Sequence, residues 1–211
     1  MDAYSHQIPI WKRGLDLLVG SLCLIVAAPL MLVIAVCVRA SMGSPVLFQQ
    51  LRPGLGGRLF VLHKFRSMRI GNGSGSDSVD HRISRLGAVL RKTSLDELPE
   101  LWNVLRGEMS LVGPRPLLKE YLDRYSPEQR RRHEVLPGIT GWAQVNGRNA
   151  LDWDERFTMD IWYVDHQSLW LDLKILSMTL LQVLRQKGIS RPGHATMPEF
   201  TGAVANENPQ T

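Results

Sequence analysis

The chain has 211 residues, a length that suits one compact domain with a real core rather than a multidomain assembly. Hydrophobic residues make up 44% and charged residues 21%, which excludes a wholly disordered or collagen-like chain. Lys and Arg number 25 against 20 Asp and Glu, a net charge of +5, so anionic partners come first. The excess is local: residues 41–92 carry 9 basic and 2 acidic groups. A basic stretch beside an apolar one favours a membrane surface or a phosphorylated substrate over nucleic acid. Cys23 and Cys37 both lie in the apolar run. That placement excludes a disulfide framework and fits a reducing cytoplasm.

From Leu17 to Val38 there are 22 residues without a charge, which as one helix extend about 33 Å, enough to cross a bilayer. Pro29 divides the run into Leu17–Ala28 and Leu30–Val38, each about half a hydrocarbon core in length. Lys12 and Arg13 precede the run, and Arg39, Arg52, Arg58, Lys64, Arg66 and Arg69 follow it, so both flanks read as cytoplasmic. Two arrangements fit these residues: a re-entrant helical hairpin broken at Pro29, and a spanning helix kinked there.

Beyond the run, SPVLFQQ and RLFVLHKFRSM read as two strands joined by the turn RPGLGG. Gly71–Ser78 is a flexible loop by composition, and Ile83–Lys92 has helical spacing. In TSLDELPELWNVLRG, the residues Leu98, Leu101, Trp102 and Leu105 mark an amphipathic helix that ends at Gly107. Three further helices are expected over Leu117–Tyr125, Trp153–Trp170 and Leu171–Gln186, with a Gly-rich loop over Pro137–Asn149. The last helix is unusually apolar and suits core, or a membrane interface beside Trp162 and Trp170. The predicted fold is α/β (α+β) and helix-rich: a membrane hairpin over residues 1–40, a catalytic domain with a small sheet over 41–201, and a disordered tail over 202–211.

Asp96 and Glu97 stand where a basic segment meets a helix start, and Arg91 and Lys92 are expected to keep both ionised. Ionised carboxylates serve as nucleophiles or metal ligands. They also serve as helix caps, and Ser94 with Glu97, or Thr93 with Asp96, has the capping-box spacing. Pro114 and Pro116 fix the backbone around Arg115, whose planar fork suits phosphate. Lys64 and Arg66 alternate with Phe65 and are expected on one side of a strand. In PGITGWAQVNGRN, the glycines Gly138, Gly141 and Gly147 let backbone approach a ligand, with Asn146, Arg148 and Asn149 as polar contacts.

Together KRGLDLL, the proline-centred apolar segment, KFRSM, SLDELPELWNVLRGEMSLVGPRPL, PGITGWAQVNGRN and GHATMPEF resemble the bacterial sugar transferases, which are monotopic phosphoglycosyl transferases. The short length resembles the family's minimal, PglC-like catalytic core. The resemblance implies transfer of a sugar 1-phosphate from a UDP-sugar to undecaprenyl phosphate, with release of UMP, at the cytoplasmic face of the bacterial inner membrane. Such a reaction starts a surface glycan or glycoprotein pathway, with inner-membrane lipids and downstream glycosyltransferases as partners and no nucleic acid. By the same resemblance Asp96 matches the nucleophile, Glu97 a carboxylate associated with Mg²⁺, Arg91 and Arg115 the phosphate-site arginines, and Pro29 the helix-breaking proline. The Gly-rich loop resembles that of enzymes using N-acetylated amino sugars. Two positions depart from the pattern: Ala28 stands where a serine often precedes the proline, and Glu100 stands where glutamine is common and reads as surface variation. A membrane-anchored basic module that binds nucleic acid or anionic lipid and a scaffold that recruits other glycan enzymes are the rival readings, and neither needs the Asp-Glu pair.

Overall fold

The computed structural model describes residues 8–69, 83–147, 151–185 and 199–202. Helix α1 runs over Ile10–Met42 with Pro29 inside it. It is the helix among the described residues that is long and apolar enough to cross a membrane. The expected pair of separate half-helices is therefore replaced by one α-helix that passes through the proline. The missing N–H at Pro29 costs one hydrogen bond, and the apolar helix keeps the rest of its ladder on both sides.

Both ends of α1 lie against the same folded body. Near its start, Lys12, Asp16 and Gly20 are buried, and towards its end Ile34 and Val38 are buried. Between and around them Leu18, Leu22, Ile25, Val26, Leu32, Val33 and Val36 are more than half exposed. Lys12 Nζ donates to Asp172 Oδ2 at 2.6 Å and to the Val112 carbonyl at 2.9 Å. Asp16 Oδ1 accepts from Ser110 Oγ and from the Leu111 N–H, each at 2.9 Å. Breaking a buried pair strands a charge, so Asp172→Ala is expected to destabilise the protein by about 3 to 5 kcal/mol, read as a lower unfolding midpoint in detergent. An unchanged midpoint contradicts this anchoring.

Strands β1 (Leu47–Pro53) and β2 (Leu59–Phe65) form the expected antiparallel hairpin, with Leu51 opposite Val61 and Phe48 opposite Lys64. Arg66 falls just past β2, and its guanidinium donates to the carbonyls of Met42, Gly43 (2.8 Å) and Ser44 (3.0 Å) at the end of α1. A cation there complements the helix dipole. Helix α2 (Arg85–Thr93) starts on Ser84, whose side chain accepts from the Gly87 N–H. The backbone then turns through left-handed Ser94, at φ 57°, into a 3₁₀ turn over Leu95–Glu97. Helix α3 follows only at Glu100–Arg106, so the single expected amphipathic helix is broken ahead of Pro99. Its buried face is Glu100, Leu101, Asn103 and Val104, whereas Trp102 is about half exposed. Asn103 donates to the Val61 carbonyl at 2.7 Å and accepts from the His63 N–H, which closes the free edge of β2.

Strand β3 (Ser110–Val112) pairs in parallel with β4 (Gly138–Thr140), where a loop was expected. Two of the loop's glycines, Gly138 and Gly141, serve this crossing. A Cβ on Gly138 would stand 2.1 Å from the Gly113 nitrogen and one on Gly141 2.2 Å from the Gly113 carbonyl oxygen, so backbone, not ligand, makes the close approach. Of the helix expected over Leu117–Tyr125 only a 3₁₀ turn at Lys119–Tyr121 forms. Its apolar residues Leu117, Tyr121 and Tyr125 pack with Phe157 and Phe200 in a separate aromatic cluster. Helices α4 (Pro127–Arg130), α5 (Trp142–Asn146), α6 (Trp153–His166) and α7 (Leu169–Arg185) complete the described chain.

The main core joins Phe60 and Leu62 of β2, Leu101 and Val104 of α3, Val112 of β3, Tyr163 of α6 and Ile175 of α7. Helix α7 is thus core on one face only: Trp170, Leu173, Leu180, Leu181 and Val183 are exposed on it. The flexible loop over Gly71–Ser78 and the tail beyond Gly202 lie outside the described residues.

Candidate active site

Strand β2, the turn ahead of α3, the first residue of α3 and the Pro114–Pro116 loop bring three carboxyl groups and two cations together. Lys64 Nζ, from the end of β2, reaches Glu97 Oε1 at 2.7 Å and Glu100 Oε1 at 3.0 Å. Arg115 pairs with Glu97 through both nitrogens, Nη2 to Oε1 and Nη1 to Oε2, the second at 3.5 Å. Neither capping box forms. Ser94 makes no side-chain cap, and Thr93 donates to the Val89 carbonyl. Both acids of the pair are thereby free of the helix-capping duty their spacing allowed.

The neighbouring cations set the two acids apart. For Asp96 burial raises the pKa, Glu97 adds to the rise, and Lys64 and Arg115 only partly oppose it. For Glu97 burial also works against the charge, but Arg115 and Lys64 prevail and hold its carboxyl well below the usual carboxylate range. The balancing cations are therefore Lys64 and Arg115, not the Arg91 and Lys92 expected from sequence. Arg91 sits at the end of α2 with its guanidinium 3.9 Å from the Met68 sulfur.

Glu100 corrects the reading of surface variation. It is 2% exposed, and burial together with the charge of Glu97 pushes its pKa up to about 7. The helical pattern pointed to Trp102 as an inward residue. The buried face lies instead along Glu100 and Asn103, which no apolar periodicity reports.

The Arg115 loop is held from behind. Arg132 donates to the Arg115 carbonyl at 2.8 Å and to Asp160 Oδ2 at 2.7 Å, both side chains of this pair being buried. Arg52 reaches the same loop at the Pro116 carbonyl, 3.4 Å away. Sequence reading missed Arg132, Asp160 and Arg52, because their partners are distant in the chain. Of the remaining expected residues, Arg66 is engaged at the end of α1, and Asn146 donates to the Trp142 carbonyl at 2.9 Å within its own helix. Arg148 and Asn149 lie outside the described residues.

The donor set suits Mg²⁺, a hard cation that takes one or two carboxylates and completes its shell with water and substrate phosphate. Glu97 stays ionised and Asp96 lies beside it. Among the described residues no group of three or more His, Cys, Asp or Glu stands together as a metal cage.

A family model described as bacterial sugar transferase matches residues 7–186. The chain belongs to this family, and by class it is a phosphoglycosyl transferase. An uncharacterised sugar transferase of Bacillus subtilis, EpsL, is 49% identical over 92% of this chain and 97% of its own length. A UDP-glucose:undecaprenyl-phosphate glucose-1-phosphate transferase of Xanthomonas campestris is 44% identical over 87% of this chain and 40% of its own. A UDP-N-acetylgalactosamine-undecaprenyl-phosphate N-acetylgalactosaminephosphotransferase of Aeromonas hydrophila is 41% identical over 82% and 43%. The chain thus spans less than half of these two longer relatives.

Proposed function

We propose that the protein transfers a sugar 1-phosphate from a UDP-sugar to undecaprenyl phosphate and releases UMP, in two steps through Asp96. The observation that carries this reading is the Asp96-Glu97 pair, left uncapped and set among Lys64, Arg115 and the buried Glu100. In the first step an Asp96 carboxylate oxygen attacks the sugar-bearing phosphorus, and the bond to UMP breaks with its electron pair leaving on UMP. In the second, an oxygen of the lipid phosphate attacks the same phosphorus and the Asp96 carboxylate departs. No proton is removed from the nucleophile, so the first attack needs no general base. Separating the steps also keeps two strongly anionic substrates from meeting directly.

Arg115, fixed by its two prolines and by Arg132, binds phosphate oxygens as a planar fork, while Lys64 supplies a point charge. A Mg²⁺ held by Glu97, with Asp96 beside it, supplies further charge neutralisation when bound. The relatives are named for glucose, galactose and N-acetylgalactosamine donors, and an N-acetylated amino sugar is the donor we favour. A panel of UDP-sugars assayed for UMP release with Mg²⁺ and polyprenyl phosphate tests both points. Release from no donor overturns the function, and release from glucose or galactose alone overturns the choice of sugar.

The membrane reading is monotopic, with the body on the cytoplasmic face of the inner membrane. A spanning helix would carry one of its ends across the bilayer, away from the body, whereas Lys12 and Val38 are both buried against that body. The exposed apolar residues of α1 and of α7 then meet lipid. Cysteines introduced near residues 5 and 75 are expected to resist labelling from the periplasm of intact cells. Labelling of either one contradicts the monotopic reading.

A further inference from the structure

Glu97, the acid best suited to a metal, is already occupied. Arg115 takes both of its oxygens and Lys64 shares one of them. A carboxylate paired in this way offers a divalent cation little, because the ion must first displace two charges of its own sign.

We propose that Arg115 and Lys64 hold Glu97 closed to a metal ion until the donor's diphosphate draws the two cations to itself, so that metal and donor bind as a coupled pair. The identity of that anion rests on the phosphoglycosyl reading; the closure of Glu97 does not.

Each cation is built to make the exchange without losing its place. Lys64 has a second anchor in Glu100, 3.0 Å away and almost fully buried, so leaving Glu97 does not release it to solvent. An ammonium carries three donors; Glu97 accepts from one of them, and Glu100 stands near it as an ion-pair partner whose Oε1 has no hydrogen bond of its own. Arg115 is held at its backbone by Arg132, at 2.8 Å, while its side chain is 36% exposed. Its guanidinium therefore turns while its loop stays fixed. The charges point the same way. Three carboxyl groups already face two cations, and a diphosphate adds further negative charge that a divalent ion balances. With no cage of three protein ligands among the described residues, that ion takes the rest of its shell from phosphate oxygens. Coupling between two ligands is reciprocal, so each binds more weakly alone than beside the other, by the same factor.

Mn²⁺ titrated into the purified protein in detergent, with free ion followed by electron paramagnetic resonance and no nucleotide present, tests the closure. Wild type is expected to bind weakly. Arg115→Met is expected to bind about five-fold tighter or more, a typical minimum for energetic coupling. Lys64→Met should shift in the same direction, and Glu97→Gln should abolish the gain when combined with Arg115→Met. Should Arg115→Met fail to fold by circular dichroism, Lys64→Met carries the test. Folded variants that bind Mn²⁺ no tighter than wild type overturn the proposal. A parallel titration in the presence of UDP supplies the diphosphate, and a wild type that binds the ion as tightly alone as with UDP also overturns the proposal. Because no sugar enters this titration, absence of UDP-sugar turnover would strike the proposed function and leave this result readable.

Discussion

Asp96→Asn is expected to abolish transfer, with turnover falling by at least about 10³-fold, as when an enzyme loses its covalent nucleophile. The amide keeps the size of the side chain but is a poor nucleophile. The variant should therefore retain the wild-type unfolding midpoint while losing even the first release of UMP. Burial contributes to the strength of the native group. It raises the Asp96 pKa while Lys64 and Arg115 oppose the rise, leaving a carboxylate that is poorly solvated and correspondingly reactive. The check is a rapid-quench measurement with UDP-sugar and Mg²⁺ but no lipid. Wild type should release at most about one UMP per active site, apart from slow hydrolysis, and Asp96→Asn none. A burst that survives in Asp96→Asn moves the nucleophile elsewhere.

Arg115→Lys is the second large effect, expected to lower kcat by about 10²-fold, the scale of losing one preorganised donor to a developing oxyanion. The charge persists, so a role in bulk electrostatics predicts near-normal turnover. The bidentate contact does not persist, because an ammonium cannot reproduce a fork that already spans both oxygens of Glu97. Steady-state kinetics at saturating donor decides between the two. Near-wild-type kcat with Lys removes Arg115 from the phosphate site.

The parts of this molecule legible in its sequence are those governed by local pattern. The β1–β2 hairpin follows from its strand residues and Pro-Gly turn, and α2 from its spacing. The pairing of Asp96 with Glu97 is visible as adjacency alone. What failed depends on partners far along the chain. Leu117–Tyr125 has helical apolar spacing, yet its aromatic residues are drawn to Phe157 and Phe200, and packing overrides the propensity. The β3–β4 pair is two three-residue strands, too short for periodicity, and its glycines looked like ligand-binding ones because a close approach has the same composition whatever is approached. Glu100 reads as surface variation in the sequence because it stands where glutamine is common, and nothing local reports what it packs against. Its burial depends on Lys64, 36 residues earlier in the chain. The helix break expected at Pro29 does not form, because an apolar helix continues through it at the cost of one hydrogen bond.

The proposed mechanism turns on a covalent phosphosugar on Asp96. Intact-protein mass spectrometry after incubation with UDP-sugar and Mg²⁺, in the absence of polyprenyl phosphate, tests it most directly. The expected result is an added mass equal to one sugar phosphate. It should map to the peptide containing Asp96, disappear on addition of the lipid phosphate, and be absent from Asp96→Asn. A donor that supports turnover with lipid, yet leaves neither an adduct nor a burst of UMP without it, would show direct displacement between the two substrates and contradict the account.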